Sequence, residues 1–242
     1  MKLLWAYTKV ELLVLLRSPG FLIPTMVFPS MFFLMFAAPN LSNTYAANFA
    51  TGSFMAFAVF TVTFFQFGVG TASERENPWS SFVRTLPAHP VYRNGGKVIT
   101  AAVLALLAAL VLVVVAYFFT PLDLPLTRWP RIFLALAAGG LMMGVLGTAL
   151  AYLVTPKAAL PIANLIFLPL AFMGGMWVPP AMLPEIVRKL SPYLPSRQWM
   201  ELVWPAVSGG TWKAQNWLAI AGFTAAFALL AIWAQRRDES VH

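Results

Sequence analysis

Residues 98–119 read VITAAVLALLAALVLVVVAYFF, without one Asp, Glu, Lys, Arg or His. At 1.5 Å per helical residue the run is about 33 Å long, enough to cross a hydrocarbon core of about 30 Å. A surface helix of a soluble protein would carry a polar face, and this stretch has none. It reads as a membrane span.

Five more windows share its character: 21–38, 49–72, 132–154, 158–178 and 217–234 all lack charged residues and histidine. A single charge at a helix centre costs about 2.5–3.5 kcal/mol on insertion, so six clean windows argue strongly against a water-soluble protein. The chain has 10% charged residues, where a soluble domain needs about a quarter to cover its surface. The sequence therefore predicts an all-α polytopic membrane protein, one transmembrane domain over 1–242 with six spans. Residues 1–20, with Lys2, Lys9, Glu11 and Arg17 spread along them, suit an N-terminal interfacial helix better than a cleaved leader. Absence of Cys excludes disulfides and thiolate metal sites. The net charge of +8 suits anionic lipid headgroups, and no nucleic-acid motif accompanies it.

Six spans put both termini on one side, and Lys and Arg choose that side. Cytoplasmic termini leave Lys2, Lys9, Arg17, Arg75, Arg84, Arg93, Lys97, Lys157, Arg236 and Arg237 inside, against Arg128, Arg131, Arg188, Lys189, Arg197 and Lys213 outside. The bias predicts a plasma-membrane protein with N- and C-termini in the cytoplasm. The longest outer loop, 179–216, carries MLPEIVRKLSPYLP and RQWMELVWPAV, with apolar residues near helical spacing. It is expected to form short interfacial or re-entrant helices, anchored at the membrane surface by Trp199, Trp204 and Trp212.

Catalytic chemistry finds no foothold. The only histidines are His89, in a loop, and His242, the last residue, so no serine inside the spans has a histidine base. The stretch RNGGKVI lacks the first Gly of a phosphate loop and the Ser or Thr after Lys97. The strongest polar groups inside the spans are Gln66 and Asn164, most simply read as interhelical hydrogen-bonding groups. Gly140, Gly144 and Thr148, and Ala101, Ala105 and Ala109, recur at four-residue spacing, which suits packing within one bundle as well as a seam between two copies. In the fifth span Pro169 removes a helical donor and Gly174 with Gly175 weakens the helix near its outer end, so a kink or early stop is expected there. Phe172, Met173, Met176 and Trp177 would then line an adaptable apolar mouth.

The charge that the spans avoid is concentrated at 73–97. Glu74, Arg75, Glu76 and Arg84 fall within eleven residues, and Trp79, Phe82, Val83 and Leu86 offer apolar knobs on a short helix closed by Pro87. In order along the chain stand ERE at 74–76, VRTLPAHP at 83–90, GGK at 95–97, then Asn164, Pro169, Gly174–Gly175, Trp177 and Pro179, then MLPEIV at 182–187 and LPSRQWMEL at 194–202. In this joint order, and over its whole length, the chain resembles the permease subunits of type-2 ABC exporters. It departs from them in Asn77–Pro78, where Gly-Thr is frequent, and in Gly174, where Ser is.

That resemblance implies a membrane subunit with no cofactor of its own, ATP and magnesium being bound by a separate ABC ATPase subunit present in two copies. It implies a second permease copy, most simply a homodimer, and export of cargo. Glu74, Arg75, Glu76, Trp79, Phe82, Arg84, Leu86 and Pro87 become the ATPase-coupling loop. Asn164, Phe172, Met173, Gly174, Gly175, Met176 and Trp177 become the outer gate and cargo path. Spans without charge point to an amphiphilic or hydrophobic cargo, a drug, antibiotic or lipid. The competing reading is a channel or lipid scramblase that works without nucleotide.

Overall fold

The computed structural model describes residues 2–77 and 90–239. Among these no strand forms, and ten α-helices carry the architecture: α1 (Lys2–Leu16), α2 (Pro19–Phe32), α3 (Thr44–Phe65), α4 (Thr71–Arg75), α5 (Pro90–Phe119), α6 (Trp129–Leu153), α7 (Pro156–Met173), α8 (Glu185–Leu190), α9 (Pro195–Ser208) and α10 (Ala214–Glu239). Four of them begin on proline, whose fixed φ suits a first helical turn and whose missing N–H has no partner to lose there. Asn43 starts α3 differently, its Oδ1 accepting from the Ala46 N–H at 2.8 Å.

Among the described residues six segments are long and apolar enough to span a membrane: Ile23–Asn40, Thr44–Arg75, Asn94–Phe119, Leu126–Leu153, Pro156–Met173 and Ala214–Asp238. Each overlaps one of the six windows read from the sequence. The fifth is shorter than its window. Pro169 sits inside α7 without stopping it, and the helix ends at Met173 because Gly175 turns left-handed at φ +83°. The second span is one long rod, α3 passing through a π-helical turn at Gln66–Gly70 into α4. A second π turn, Phe33–Ala37, follows α2.

Polar contacts sort the ends of the bundle. At one end Lys97 reaches Glu74, Arg75 reaches the Ala151 carbonyl and Asp238, and the Thr100 hydroxyl reaches the Thr8 carbonyl of α1. This end holds α1 and the C-terminal end of α10 and is called the terminal end. At the far end Asn48 Nδ2 donates to the Asp123 carbonyl at 2.6 Å, and the Asp123 N–H returns a bond to Asn48 Oδ1 at 3.1 Å. The spans thus alternate in direction, as a six-span chain with termini on one side requires. The expected N-terminal helix is present as α1, which packs on α5 and leaves Leu3, Trp5, Val10, Leu13 and Val14 exposed.

The core is built around α3, whose spanning window is 72% buried, against 17% for that of α10. Phe57 of α3 meets Phe28, Phe32, Phe54, Phe167 and Trp177 at ring-centroid distances of 5.4–6.5 Å. The small-residue stripes serve packing inside this chain. A Cβ on Gly140 would lie 2.8 Å from Val59 Cγ1, one on Gly144 3.0 Å from the Phe67 ring, and one on Gly147 2.6 Å from the Phe64 carbonyl oxygen. Ala101, Ala105 and Ala109 are buried within the chain as well.

Two of the three tryptophans expected as surface anchors, Trp199 and Trp204, are buried in the bundle instead, while Trp212 is partly exposed. No residue of α9 is fully exposed, and Trp199 and Met200 are completely buried. Trp199 Nε1 donates to the Ala135 carbonyl at 2.9 Å, and Trp204 Nε1 donates to Ser53 Oγ at 2.9 Å. Trp212 Nε1 donates to the Leu202 carbonyl, also at 2.9 Å. The physical reason is complementarity: helices α3 and α6 present Gly52 and Gly139 where α9 arrives, so its aromatic side enters the bundle rather than lying on it. A Cβ on Gly139 would sit 1.9 Å from Trp199 Cε2. Helix α9 thus packs into the bundle, whereas the shorter α8 leaves Ile186 and Leu190 exposed.

Gly139→Ala is therefore expected to destabilise the folded protein by about 3 kcal/mol, because the indole cannot stay both seated and bonded to Ala135. Thermal unfolding in mild detergent checks this; an unchanged midpoint would show that α9 is not held at Gly139.

Candidate functional site

Two groups of residues singled out by the sequence meet real structure, one at each end of the bundle. At the terminal end the second span runs through Thr71–Arg75 and stops at Glu76, in a turn closed by the Asn77 N–H donating to the Glu74 carbonyl at 3.2 Å. Glu74 and Arg75 do not pair with each other. Lys97 Nζ, near the start of the third span, donates to Glu74 Oε2 at 2.8 Å and to Thr71 Oγ1 at 2.9 Å. Arg75 Nη1 donates to the Ala151 carbonyl at 2.6 Å and to the Val154 carbonyl at 3.4 Å, capping the C-terminus of α6. Its Nη2 binds Asp238 Oδ1 on α10, and its guanidinium lies 5.3 Å from the Tyr152 ring centroid.

Glu76 is exposed, with no ion pair among the described residues. Trp79, Phe82, Arg84, Leu86 and Pro87, the rest of the expected coupling loop, lie outside the described residues. The acids at the end of the sixth span, Asp238 and Glu239, could have been set against Arg75 from sequence, though not which of the two it takes. Arg75 and these acids stand at span ends that a six-span topology puts on one side. The carbonyl partners could not, because every helix end offers carbonyls.

At the far end, the stretch Phe172–Trp177 takes in the last two residues of α7 and the tight turn that follows it. Gly174, Gly175 and Met176 are buried, while Phe172, Met173 and Trp177 are partly so. Trp177 lies against Phe32 and Phe57, with centroids 5.5 Å apart in each case, and 6.3 Å from Phe172. The Ser191 hydroxyl donates to the Met173 carbonyl at 2.5 Å. A side chain at Gly174 would collide with Ser196, whose Cβ and Oγ are both 2.7 Å from the Cβ position. The hydroxyl missing at 174 is thus replaced in space by that of Ser196, which is completely buried and has no hydrogen-bond partner, as is also true of the Trp177 Nε1 atom. Asn164 belongs to a different level. It lies nine residues before Met173 on α7, about 13 Å along the axis, and its Nδ2 donates to the Leu160 carbonyl of its own helix.

The far end also uses most of its cations structurally. Arg128 Nη1 donates to the Val207 carbonyl at 2.6 Å and Arg131 Nη2 to the Gly210 carbonyl at 2.7 Å, neutralising the C-terminus of α9. Arg131 stacks over Trp212 at 4.4 Å and Arg197 over Trp204 at 4.7 Å, and Arg197 also pairs with Glu201 at 2.6 Å.

Gln66 breaks the pattern. The sequence suggests an interhelical bond, yet this side chain is 3% exposed and neither Nε2 nor Oε1 has a hydrogen-bond partner. It opens the π turn at Gln66–Gly70, in a span where Thr61 and Thr63 donate to the Phe57 and Val59 carbonyls while the buried Thr51 hydroxyl, like the Gln66 amide, has no partner. A buried amide without partners costs about 1–3 kcal/mol. Gln66→Leu, of similar size, is expected to raise stability by about that amount, seen as a higher unfolding midpoint; a lowered midpoint would mean that the amide is satisfied in the folded protein.

Comparison with known proteins fits this architecture. Over 249 aligned residues, covering all of both chains, the protein is 26% identical to "Putative transport permease YvfS" of Bacillus subtilis (strain 168). Residues 2–205 match the sequence model of ABC-2 type transporters, a stretch that includes the terminal-end triplet, the turn that ends α7 and most of helix α9. With six spanning helices, a charged triplet wired to their ends and this match over most of its length, the chain belongs to the ABC-2 type transporter family, as a membrane permease subunit of a transporter whose ATP is hydrolysed by an ABC ATPase partner.

Proposed function

We propose that this chain is the permease of an exporter, that two copies pair, and that each copy sits on one ATPase subunit. The assembly moves an amphiphilic or hydrophobic cargo, a drug, antibiotic or lipid, out of the cytoplasm or the inner leaflet. The observation that carries this reading is the wiring of the triplet. The loop leaving at Glu76 starts from residues tied to the third span through Lys97, to the fourth through Ala151 and Val154, and to the last through Asp238. A docked ATPase pulling on residues 76–89 would act on most of the bundle at once. No catalytic group is contributed by the permease, and ATP and magnesium belong to the partner.

Cytoplasmic termini follow from the excess of Lys and Arg at the terminal end. The main counter-signal is weakened by geometry, since Arg128, Arg131 and Arg197 at the far end spend their charge holding α9. The turn Phe172–Trp177 then faces outward as the gate, shut here by Trp177 packed on Phe32 and Phe57. Its apolar character favours greasy cargo, for which soft Met and aromatic walls adapt to many shapes. Asn164 lies deeper on the same helix, along the cargo path.

The test is the mass of the complex purified through this chain in mild detergent after co-expression with an ATPase encoded beside it. Two permeases with two ATPases is the expected stoichiometry. Arg84→Ala is expected to leave the chain inserted and folded while weakening ATPase retention about tenfold, the scale of one lost charged contact in an interface. A stable species without any ATPase, or ion or lipid flux through liposomes holding this chain alone, would replace the reading with a nucleotide-independent channel or scramblase.

A further inference from the structure

We propose that Arg75 is a positioning residue whose ion pair with Asp238 transmits movement of the loop at 76–89 to the last span, so that the ends of spans two, four and six shift as one body. The proposal rests on the permease reading above. Arg75 is the last residue of α4, and only Glu76 and Asn77 separate it from the segment expected to carry the docking knobs. A displacement of that segment reaches the guanidinium almost undiluted.

The guanidinium is a rigid planar fork, so its donors cannot follow separate partners in separate directions. One arm holds the Ala151 and Val154 carbonyls, which lie past the last intrahelical donors of α6, and the other holds Asp238 on α10. Moving the end of the second span by the length of a hydrogen bond must either drag both helices or break the contacts. The Arg75 and Asp238 side chains are 17% and 24% exposed, so water screens the pair less than it screens a surface pair. Helices α6 and α10 also pack against each other more extensively than any other pair of elements among the described residues, so a pull on either moves both. Capping of α6 alone would need only the carbonyl contacts. The bond to Asp238 is the part that a cap does not explain.

The variants that separate these roles change Asp238 and leave the cap intact. Because the chain has no cysteine, Tyr193→Cys, at a residue 79% exposed at the far end, gives a single labelling point for an environment-sensitive fluorophore. The probe is ATP with magnesium, added to the assembly of labelled permease and a cysteine-free ATPase subunit. With Asp238→Asn the ATPase stays bound and hydrolysis continues, but the fluorescence change at Tyr193→Cys falls about threefold or more, the scale of one coupling contact. Asp238→Glu, which keeps the charge, restores it. A response of Asp238→Asn equal to the parent overturns the proposal, as does equal impairment of the Asn and Glu variants. Loss of the ATPase from Asp238→Asn would make Asp238 a docking residue and overturns it too. A parent chain that purifies with no ATPase is a different failure: it removes the permease reading itself, and the proposal falls with it.

Discussion

Trp199 lying on Gly139 is the contact on which the rest of the bundle depends. A helix that follows the fifth span could rest on the membrane surface, where its tryptophans would find headgroups. Instead Gly139 leaves a bare patch of α6 backbone, the indole fills it, and Nε1 takes the Ala135 carbonyl one turn earlier. Burial of so large a ring is worth several kcal/mol only if its N–H keeps a partner, and Ala135 supplies one. With Trp199 seated, Val203 and Val207 fall against Gly52, and Trp204 reaches Ser53. The second and fourth spans are thereby joined through α9 at the far end, and Arg128 with Arg131 closes the helix behind them.

The terminal end is held by different physics. There the links are charged and long-armed: Lys97 to Glu74 and Thr71, Arg75 to two carbonyls and Asp238. Packing at the far end is close and shape-dependent, so it resists small displacements and then gives way as a unit. The two ends of the bundle are thus held differently, by charged contacts at the terminal end and by close packing at the far end. Between the two lies Gln66, an unsatisfied amide at a π turn, in the only rod that reaches from the Asn48 clasp to Arg75. Its cost is concentrated where a change of state could relieve it.

Much of this was legible in advance from particular residues. The six charge-free windows located every span, the Gly174–Gly175 pair located the end of the fifth, and the prolines at 19, 156 and 195 stand at helix starts. The triplet at 74–76 stood out because charge is scarce elsewhere. Trp199 and Trp204 could not be told from surface anchors, since an aromatic next to prolines and charges in a loop looks the same whether it meets a headgroup or a glycine groove. The polar groups inside the spans were also misjudged. Asn164 turned back on its own helix, and Gln66 found nothing.

The sequence by itself determined the solvent of this protein, its spans and their number, because charge is too costly in hydrocarbon to be placed carelessly. Which helix enters the bundle, and which carbonyl or carboxylate each arginine takes, was decided only by tertiary structure. Those choices depend on where a missing Cβ leaves room and on which helix ends meet, and neither is written in any local run of residues.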